Sequence, residues 1–343
     1  DVPPAPGDDL RGTGAAPGDR RDDAPAGGPG NRADGHAHEP RSLTPEQQEQ
    51  RRTTIWRRNN ATLTGLENAY TRRWAAYFNR QATVVIDQIQ AKRTAARLDA
   101  ASRARELRAD VPLGGPLDPG EIARWRAQAL DLADLMHTAA TTAGVQRVNH
   151  AFGVSFDLEA PFIQDFIAAR ANQLAGAVSD TTYAAIQQAL VDGVAQGMSI
   201  DDLAAEVQHV FDVASSSRAR TIARTEVISA ANGSASLAAA QLPADVAGGQ
   251  EWISTRDERT RDDHVDADGQ VVVMGSPFEV GGESLLYPGD PAGDGGNVIN
   301  CRCTVAFLTP DEMATRSRVV SLSTARAVLR LVTAGDEFDE VRV

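Results

Sequence analysis

The sequence predicts an α+β fold, in which a mainly helical N-terminal two-thirds precedes a small antiparallel-sheet unit at the C terminus. Apolar residues recur at three- and four-residue steps across residues 63–78, which is helical spacing. Helix-start signals continue as far as residue 217. From residue 249 onward, Gly, Asp and Pro become frequent and the apolar runs shorten to strand length. The 343 residues suffice for about two domains, and with only 5% aromatic residues their core must consist mainly of Ala, Val, Leu and Ile.

Residues 1–40 are predicted to form a disordered acidic linker rich in Pro and Gly. They carry 8 acidic and 4 basic side chains, and Val2 and Leu10 are their only large aliphatic residues. Such a segment cannot bury enough apolar surface to offset the entropy lost on ordering. The chain lacks an initiator Met, so we expect a processed product or the C-terminal part of a larger polypeptide.

Residues 41–150 are predicted to form a basic helical extension. Thr44 and Pro45 make a helix-start pair. Residues 112–120 are rich in Pro and Gly and form a loop. A second helix follows this loop and ends near Gly144.

The charge of the extension is opposite to that of the whole chain. Residues 41–109 hold 14 basic and 6 acidic side chains, whereas the chain has a net charge of -13. We favour a solvated helical surface, because neither a DNA-binding motif nor an interleaved aromatic-basic pattern accompanies the charge. The alternative is a contact with an anionic partner, either DNA or an acidic protein surface.

Residues 151–308 are predicted to form a second unit, with helices at 161–240 and a small sheet at 249–307. The predicted helix starts are Pro161, Asp180, Ser199 and the serines at 215–217. The predicted strands are residues 251–254, 270–273 and 298–307. Residues 309–343 form a C-terminal tail that opens with a Thr-Pro helix-start pair.

Cysteine content and hydropathy limit the class of protein. Two cysteines argue against a disulfide scaffold and favour a protein made in a reducing cytoplasm. A disulfide between Cys301 and Cys303 would close a very tight ring of poor geometry. The sequence has no apolar run of the roughly 18 residues that a membrane-spanning helix needs.

The most informative residues lie between positions 218 and 303. They include an Arg-Thr-Glu helix, a Trp strand, the pattern Asp-x-Arg-Thr-Arg-x-x-His-x-x-x-Asp-Gly, a Pro-Gly-Asp turn and an Asn-Cys-Arg-Cys segment. The motif residues are Arg224, Glu226, Trp252, Asp257, Arg259, Arg261, His264, Asp268, Asp290, Asn300, Cys301 and Cys303. In this order and spacing, the segment from about 155 to 307 resembles the phage Mu F-like minor head proteins, also called phage head morphogenesis proteins.

This resemblance implies a structural minor head protein of a tailed bacteriophage. It implies a place in the virion, inside the head and near the portal, with a role in head (capsid) assembly and in DNA packaging or delivery. The implied partners are the portal protein, the major capsid or scaffold protein, and packaged DNA through the basic segment 41–109, with no membrane contact. The protein would be made in the host bacterial cytoplasm, would not be an enzyme and would need no cofactor.

His264, Cys301 and Cys303 offer three soft metal ligands, which leaves a second function open. That alternative is a metal-dependent or nucleotide-using enzyme, such as a toxin-like effector. In a strand, residues two apart face the same side, which would point both thiols at one zinc ion. Cys-x-Cys is not the usual Cys-x-x-Cys spacing, however, and one His is present rather than two. We therefore favour side chains that pack on one another over a zinc site.

Arg224 and Glu226 lie near one face of their helix. Together with His264 they would suit a nucleotidyl- or ADP-ribosyl-transferring site. Since neither a Gly-rich phosphate loop nor a base-activated nucleophile accompanies them, we favour a buried ion-pair network that fixes this helix on the sheet.

The remaining motif residues are expected to converge on one side of the sheet. Asp268 with its following glycine predicts a turn that returns the His264 segment to the next strand. Asp290 is predicted to be a structural turn residue. We expect Glu226 and Asp257 to be the carboxylate partners of the arginines buried there.

Overall fold

The computed structural model describes residues 43–102 and 119–316. Its helices are α1 (Pro45–Ser102), α2 (Pro119–Phe152), α3 (Pro161–Ala195), α4 (Ile200–Val213), α5 (Ala219–Ala239), α6 (Asp262–Asp266), α7 (Gly295–Val298) and α8 (Pro310–Ala314). Its strands are β1 (Gly249–Ile253), β2 (Val271–Val273), β3 (Phe278–Val280), β4 (Glu283–Leu285) and β5 (Thr304–Leu308). This order confirms the predicted α+β fold. The linker predicted at 1–40, and the tail beyond residue 316, lie outside the described residues.

Several helices begin at the capping residues that the sequence predicted. The Thr44 hydroxyl accepts a hydrogen bond from the Gln47 amide at 3.2 Å, and the Thr44 amide donates to the Gln47 side chain at 2.9 Å. This reciprocal pair is a capping box, which satisfies two backbone donors that the first turn leaves free. Ser199 and Asp202 form the same box at α4, and Thr309 begins α8 in the same way.

Three predicted helix boundaries are wrong. Helix α2 continues past Gly144 to Phe152, and α3 runs through Asp180 without a break. The serines at 215–217 do not cap a new helix, because they lie in the π-helical turn Ala214–Arg218 that joins α4 to α5. Their hydroxyls donate to carbonyl oxygens in the preceding turn, a pattern that helix interiors tolerate. Packing of the long helices against one another outweighs these local signals for a helix end or a helix start.

Helix α5 is the centre of the fold, and its second half, from Ser229 to Ala239, is built mostly from small residues. Its buried residues include Ala223, Ala230, Ala231, Gly233, Ser234, Ala235 and Ala238. Small side chains let neighbouring backbones approach closely. A Cβ atom built on Gly144 of α2 would stand only 2.3 Å from the carbonyl oxygen of Ala231. Around this helix the core is filled by larger side chains: Trp74, Tyr77, Phe78, Met136, Ile186 and Phe211.

The sheet is small and antiparallel, with strand order β2-β1-β5, and β3 and β4 form a separate hairpin. Trp252 of β1 is paired with Val305 of β5. The strand predicted at 298–307 is shorter than expected, because β5 begins at Thr304 and residues 295–298 are helical. Between them Asn300 has a φ of 59°, a left-handed conformation that Asn tolerates better than most residues and that a strand cannot contain.

A domain boundary was predicted between residues 150 and 151, but the helices before and after this point pack into the same cores. That boundary falls within α2. Helices α2, α3 and α5 each contribute buried residues to the helical core and to the core beneath the sheet. The residues that the structure describes form one compact unit. No helix in the described ranges is long and apolar enough to cross a membrane.

Candidate functional site

The structure brings His264, Cys301 and Cys303 together beneath the sheet. His264 lies on α6, and both cysteines lie in the segment between α7 and β5. The His264 Nδ1 atom is 3.3 Å from the Cys303 sulfur and 3.8 Å from the Cys301 sulfur. All three side chains are buried, with relative exposures of 2%, 2% and 1%. The predicted convergence of these three residues is therefore observed, although the cysteines lie in a loop and not in a strand.

Two motif residues hold the cysteine loop in place. The left-handed backbone at Asn300 turns the chain before the first cysteine, and its amide donates to the Thr225 hydroxyl of α5 at 3.0 Å. The Arg261 guanidinium donates to the Ile299 carbonyl at 2.6 Å. These contacts tie the loop to α5 on one side and to the start of α6 on the other.

Aromatic and hydroxyl groups enclose the cluster. The Trp252 ring meets the His264 ring edge-to-face at a centroid distance of 5.6 Å, and it meets the Phe278 ring in the same way at 5.3 Å. The Thr255 hydroxyl lies 3.9 Å from the Cys303 sulfur. The cluster therefore lies in a largely apolar setting, where electrostatic interactions are strong.

The two thiols differ in acidity. A hydrogen bond from Cys301, supported by His264, holds the pKa of Cys303 well below its usual range despite burial. The same hydrogen bond, together with burial, raises the pKa of Cys301. Cys303 is thus the sulfur that more readily carries negative charge, and a thiolate is the form that binds metals or attacks electrophiles.

Asp257 forms an ion-pair cluster next to the site rather than within it. Its carboxylate accepts hydrogen bonds from Arg302 at 2.7 to 2.9 Å and from the Arg259 side chain at 3.0 Å. Hydrogen bonding from Arg302, and to a lesser extent from Arg259, lowers the pKa of Asp257. Arg259 itself is largely exposed, with 72% relative side-chain exposure. Arg302 lies between the two cysteines in sequence, and the sequence analysis assigned it no role.

Asp268 links the site to the N-terminal extension. Its carboxylate accepts a hydrogen bond from the Ser254 amide at 2.8 Å and pairs with Arg52 of α1 at 2.6 Å. Arg52 also pairs with Glu251 at 3.1 Å. Burial raises the pKa of Glu251, and Arg52 and Arg316 oppose this effect. The sequence analysis did not predict that an arginine of the basic extension contacts the sheet.

Asp290 stabilises its own loop and is not part of the cluster. Its two carboxylate oxygens accept hydrogen bonds from the Leu286 amide at 2.8 Å and the Ala292 amide at 3.0 Å. The preceding Gly289 has a φ of 84°, a conformation that glycine adopts readily.

Arg224 and Glu226 do not fix α5 on the sheet, which corrects the predicted network. Arg224 pairs with Glu67 of α1 at 2.6 Å. Glu226 pairs with Arg170 of α3 at 2.6 Å and with His137 of α2 at 3.0 Å. Their partners therefore belong to other helices, and Glu226 is not a partner of the sheet arginines.

A second polar centre was missed by the sequence analysis. Asn232 of α5 donates to the Cys303 carbonyl at 3.0 Å and to the Pro288 carbonyl at 2.9 Å, and its side-chain oxygen accepts from Arg147 at 3.1 Å. Arg147 also donates to the Thr304 hydroxyl at 2.7 Å. The one available signal was a lone Asn in the middle of an Ala- and Ser-rich helix.

Comparison with known proteins agrees with the site's motifs. Residues 184–306 match the family model described as Phage Mu protein F like protein, which confirms the resemblance over this segment. The chain is 27% identical over 162 residues to "Uncharacterized protein YqbB" of Bacillus subtilis (strain 168), an alignment that covers 44% of this chain and 52% of that protein. The chain thus spans about half the length of this curated relative. No solved structure matches the chain.

Proposed function

We propose that this chain, whose residues 184–306 carry a Phage Mu protein F like domain, is a structural minor head protein of a tailed bacteriophage. On this proposal it acts in head morphogenesis inside the virion, next to the portal, and meets the major capsid or scaffold protein there. The family match carries the proposal. It covers the part of the chain that runs from α3 through the sheet, and this part includes the cluster of His264, Cys301 and Cys303.

An exposed basic face on α1 supports a contact with packaged DNA or with an acidic surface of the portal. The side chains of Arg57, Arg58, Arg72, Arg73 and Arg80 are exposed. At 100° per residue they fall within about 160° of the helix circumference. Asp87, also exposed, lies on the same side near the end of this face. An exposed basic face of this kind attracts anions and is typical of a nucleic-acid contact.

Burial of the cysteine cluster favours this structural role over the enzymatic alternative. His264, Cys301 and Cys303 are each at most 2% exposed, and aromatic rings enclose them. A substrate needs a concave site into which it can enter. The cluster is better suited to hold the domain together than to carry out a reaction.

Particle composition tests the placement in the virion. Heads purified from the phage or prophage whose genome encodes this chain should contain its peptides by mass spectrometry, in a copy number far below that of the major capsid protein. A deletion should yield normal amounts of capsid and portal protein but fewer infectious, DNA-filled particles. If the deletion strain produces infectious particles at the wild-type yield, the proposed role in head morphogenesis is wrong.

Charge reversal tests the basic face separately. The triple variant R57E/R72E/R80E should bind double-stranded DNA, or the purified portal, more weakly than wild type, and the salt dependence of binding should flatten. For DNA, each lost phosphate contact should reduce the log–log salt slope by about 0.9.

A matched variant separates a local contact from an effect of net charge. R124E/R126E/R220E changes the same number of exposed arginines on α2 and α5. Equal loss of binding in both triple variants would show that net charge alone is responsible. Unchanged binding by the α1 variant to both DNA and portal would remove the proposed contact.

A further inference from the structure

We propose that His264, Cys301 and Cys303 bind one Zn²⁺ ion, which fastens α6 to the loop that leads into β5. The potential ligand atoms of these residues lie within 4.8 Å of one another. They reach one point from two separate parts of the chain, and each of the three is buried. This inference is independent of the function proposed above.

The spacing of the three atoms fits a tetrahedral zinc ion. With Zn–S bonds of about 2.3 Å and a Zn–N bond of about 2.0–2.1 Å, a tetrahedral site has N···S separations of about 3.6 Å and S···S separations of about 3.8 Å. The observed Nδ1···S separations are 3.3 Å to Cys303 and 3.8 Å to Cys301. Both observed N···S separations therefore lie within about 0.3 Å of the tetrahedral value.

Hydrogen bonding from His264 alone does not account for the position of both sulfurs. Both sulfurs face the same His264 nitrogen, and Nδ1 has either one proton or one lone pair to offer in the ring plane. It can therefore form a well-directed hydrogen bond with only one of them. A metal ion between the three atoms interacts with all of them at once.

Charge balance also suits a buried zinc ion. Zinc would bind two thiolates and a neutral imidazole, and any protons on these ligands would pass to solvent, so that the ion and its ligands together have no net charge. A neutral centre avoids the large cost of burying an unpaired charge beside Trp252 and Phe278.

The protein supplies three of the four ligands. Among the side chains that the structure describes, in residues 43–91 and 120–316, no other His, Cys, Asp or Glu joins this group. The fourth position is left to a water molecule. Three protein ligands and a water are typical of catalytic zinc. Because all three ligands are at most 2% exposed, we infer that the ion here stabilises the fold.

A bound zinc ion would stabilise a part of this domain in which the strands are short. The longest strands of the sheet, β1 and β5, have five residues each, and β2 has three. So few strand residues form only a few backbone hydrogen bonds between strands, and the sheet is weakly held together. A zinc ion would join the two segments that flank this sheet, α6 and the cysteine loop, and so would add stability where the backbone pairing is short.

The experiment uses the full chain, purified without a metal-affinity tag. Elemental analysis should find about one zinc ion per chain. Removal by a strong chelator should lower the melting temperature, and added Zn²⁺ should restore it. The Cys301→Ser and His264→Ala variants should lose the ion, whereas His209→Ala, which changes an exposed histidine of α4, should keep it.

A spectroscopic measurement on the wild-type chain avoids the risk that a variant fails to fold. Co²⁺ added to the metal-free protein should give thiolate-to-cobalt charge-transfer absorption and the visible bands of tetrahedral cobalt, and Zn²⁺ should abolish both. The proposal is overturned if folded wild-type protein holds no zinc and gives no cobalt–thiolate bands. Zinc retained at the wild-type level by His264→Ala, or copper or iron found in place of zinc, would overturn this assignment equally.

Discussion

Replacement of Glu226 by Gln should destabilise the fold by about 3 kcal/mol at neutral pH. Glu226 has 19% side-chain exposure and bonds to Arg170 at 2.6 Å and to His137 at 3.0 Å through the same oxygen. Burial raises the pKa of Glu226, but Arg170 and His137 together lower it from 4.5 to about 2. A difference of that size between unfolded and folded states corresponds to about 3 kcal/mol, similar to the cost of breaking a buried ion pair.

The lowered pKa of Glu226 also determines how the loss of stability in Glu226→Gln depends on pH. A carboxyl group whose pKa is lower in the folded state stabilises the fold fully above its unfolded pKa. This stabilisation disappears as the pH falls from about 4.5 to about 2. The difference between wild type and Glu226→Gln should therefore be constant from pH 7 to pH 6 and fall to about half by pH 3.

Urea unfolding followed by circular dichroism measures this difference. The control is Glu206→Gln, which removes an exposed carboxylate of α4 and should change stability by no more than about 0.5 kcal/mol. If Glu226→Gln costs no more than the control at pH 7, the buried network does not stabilise the fold as argued. A penalty that stays the same down to pH 3 would contradict the lowered pKa.

Three further substitutions, with Gly65→Ala as a control, test the packing around α5 and the loops. Gly144→Ala should lower the free energy of unfolding by about 1–3 kcal/mol in thermal or urea unfolding, since its Cβ would stand 2.3 Å from the Ala231 carbonyl oxygen. On α1, a Cβ added at Gly65 would meet no neighbouring group within 4 Å, so Gly65→Ala should instead stabilise the fold by up to about 1 kcal/mol. Asp290→Ala should cost about 1–3 kcal/mol, because two backbone amides lose their acceptor. Arg147→Ala should cost a similar amount, measured the same way, because buried oxygens lose their donor. A neutral result at any of the three destabilising positions would contradict the contact it tests.

The helical part of the fold could be predicted where local chemistry determines the backbone. Thr44, Ser199 and Thr309 cap the helices that the sequence assigned to them, because a capping box involves residues only three apart. Asp180 carried a similar signal, yet α3 passes through it. The residues beside it, Ser179 and Thr182, are buried, so contacts distant in sequence hold the helix together there.

The cysteine site could be predicted in part, for a reason that was itself incorrect. The expected strand would have aligned both thiols by its two-residue period. The structure aligns them instead through the turn at Asn300, after the short helix α7. Val298 and Ile299 are strand-forming residue types, but this preference is weak and depends on context. The order and spacing of the motif identified the site even though its local backbone was predicted wrongly.

Ion-pair partners were the least predictable feature. Glu226 was expected to pair with arginines of the sheet, but it pairs with Arg170 and His137 of two other helices. These partners lie 56 and 89 residues away in sequence. A side chain's charge and its helix face show that it needs a partner when buried, but only the packing of the helices determines which partner is near.

The basic extension and the cysteine site belong to one structural unit, and this bears on both proposals. Arg52 of α1 pairs with Asp268, four residues after His264. Asn59, about two turns further along the same face of α1, donates to the Thr304 hydroxyl at 3.0 Å, directly after Cys303. Arg57 and Arg58 of the proposed partner-binding face lie on the helix between these two contacts. Loss of the proposed zinc ion should therefore loosen the surface on which α1 rests, and metal-free protein should bind its anionic partner more weakly although no arginine has changed.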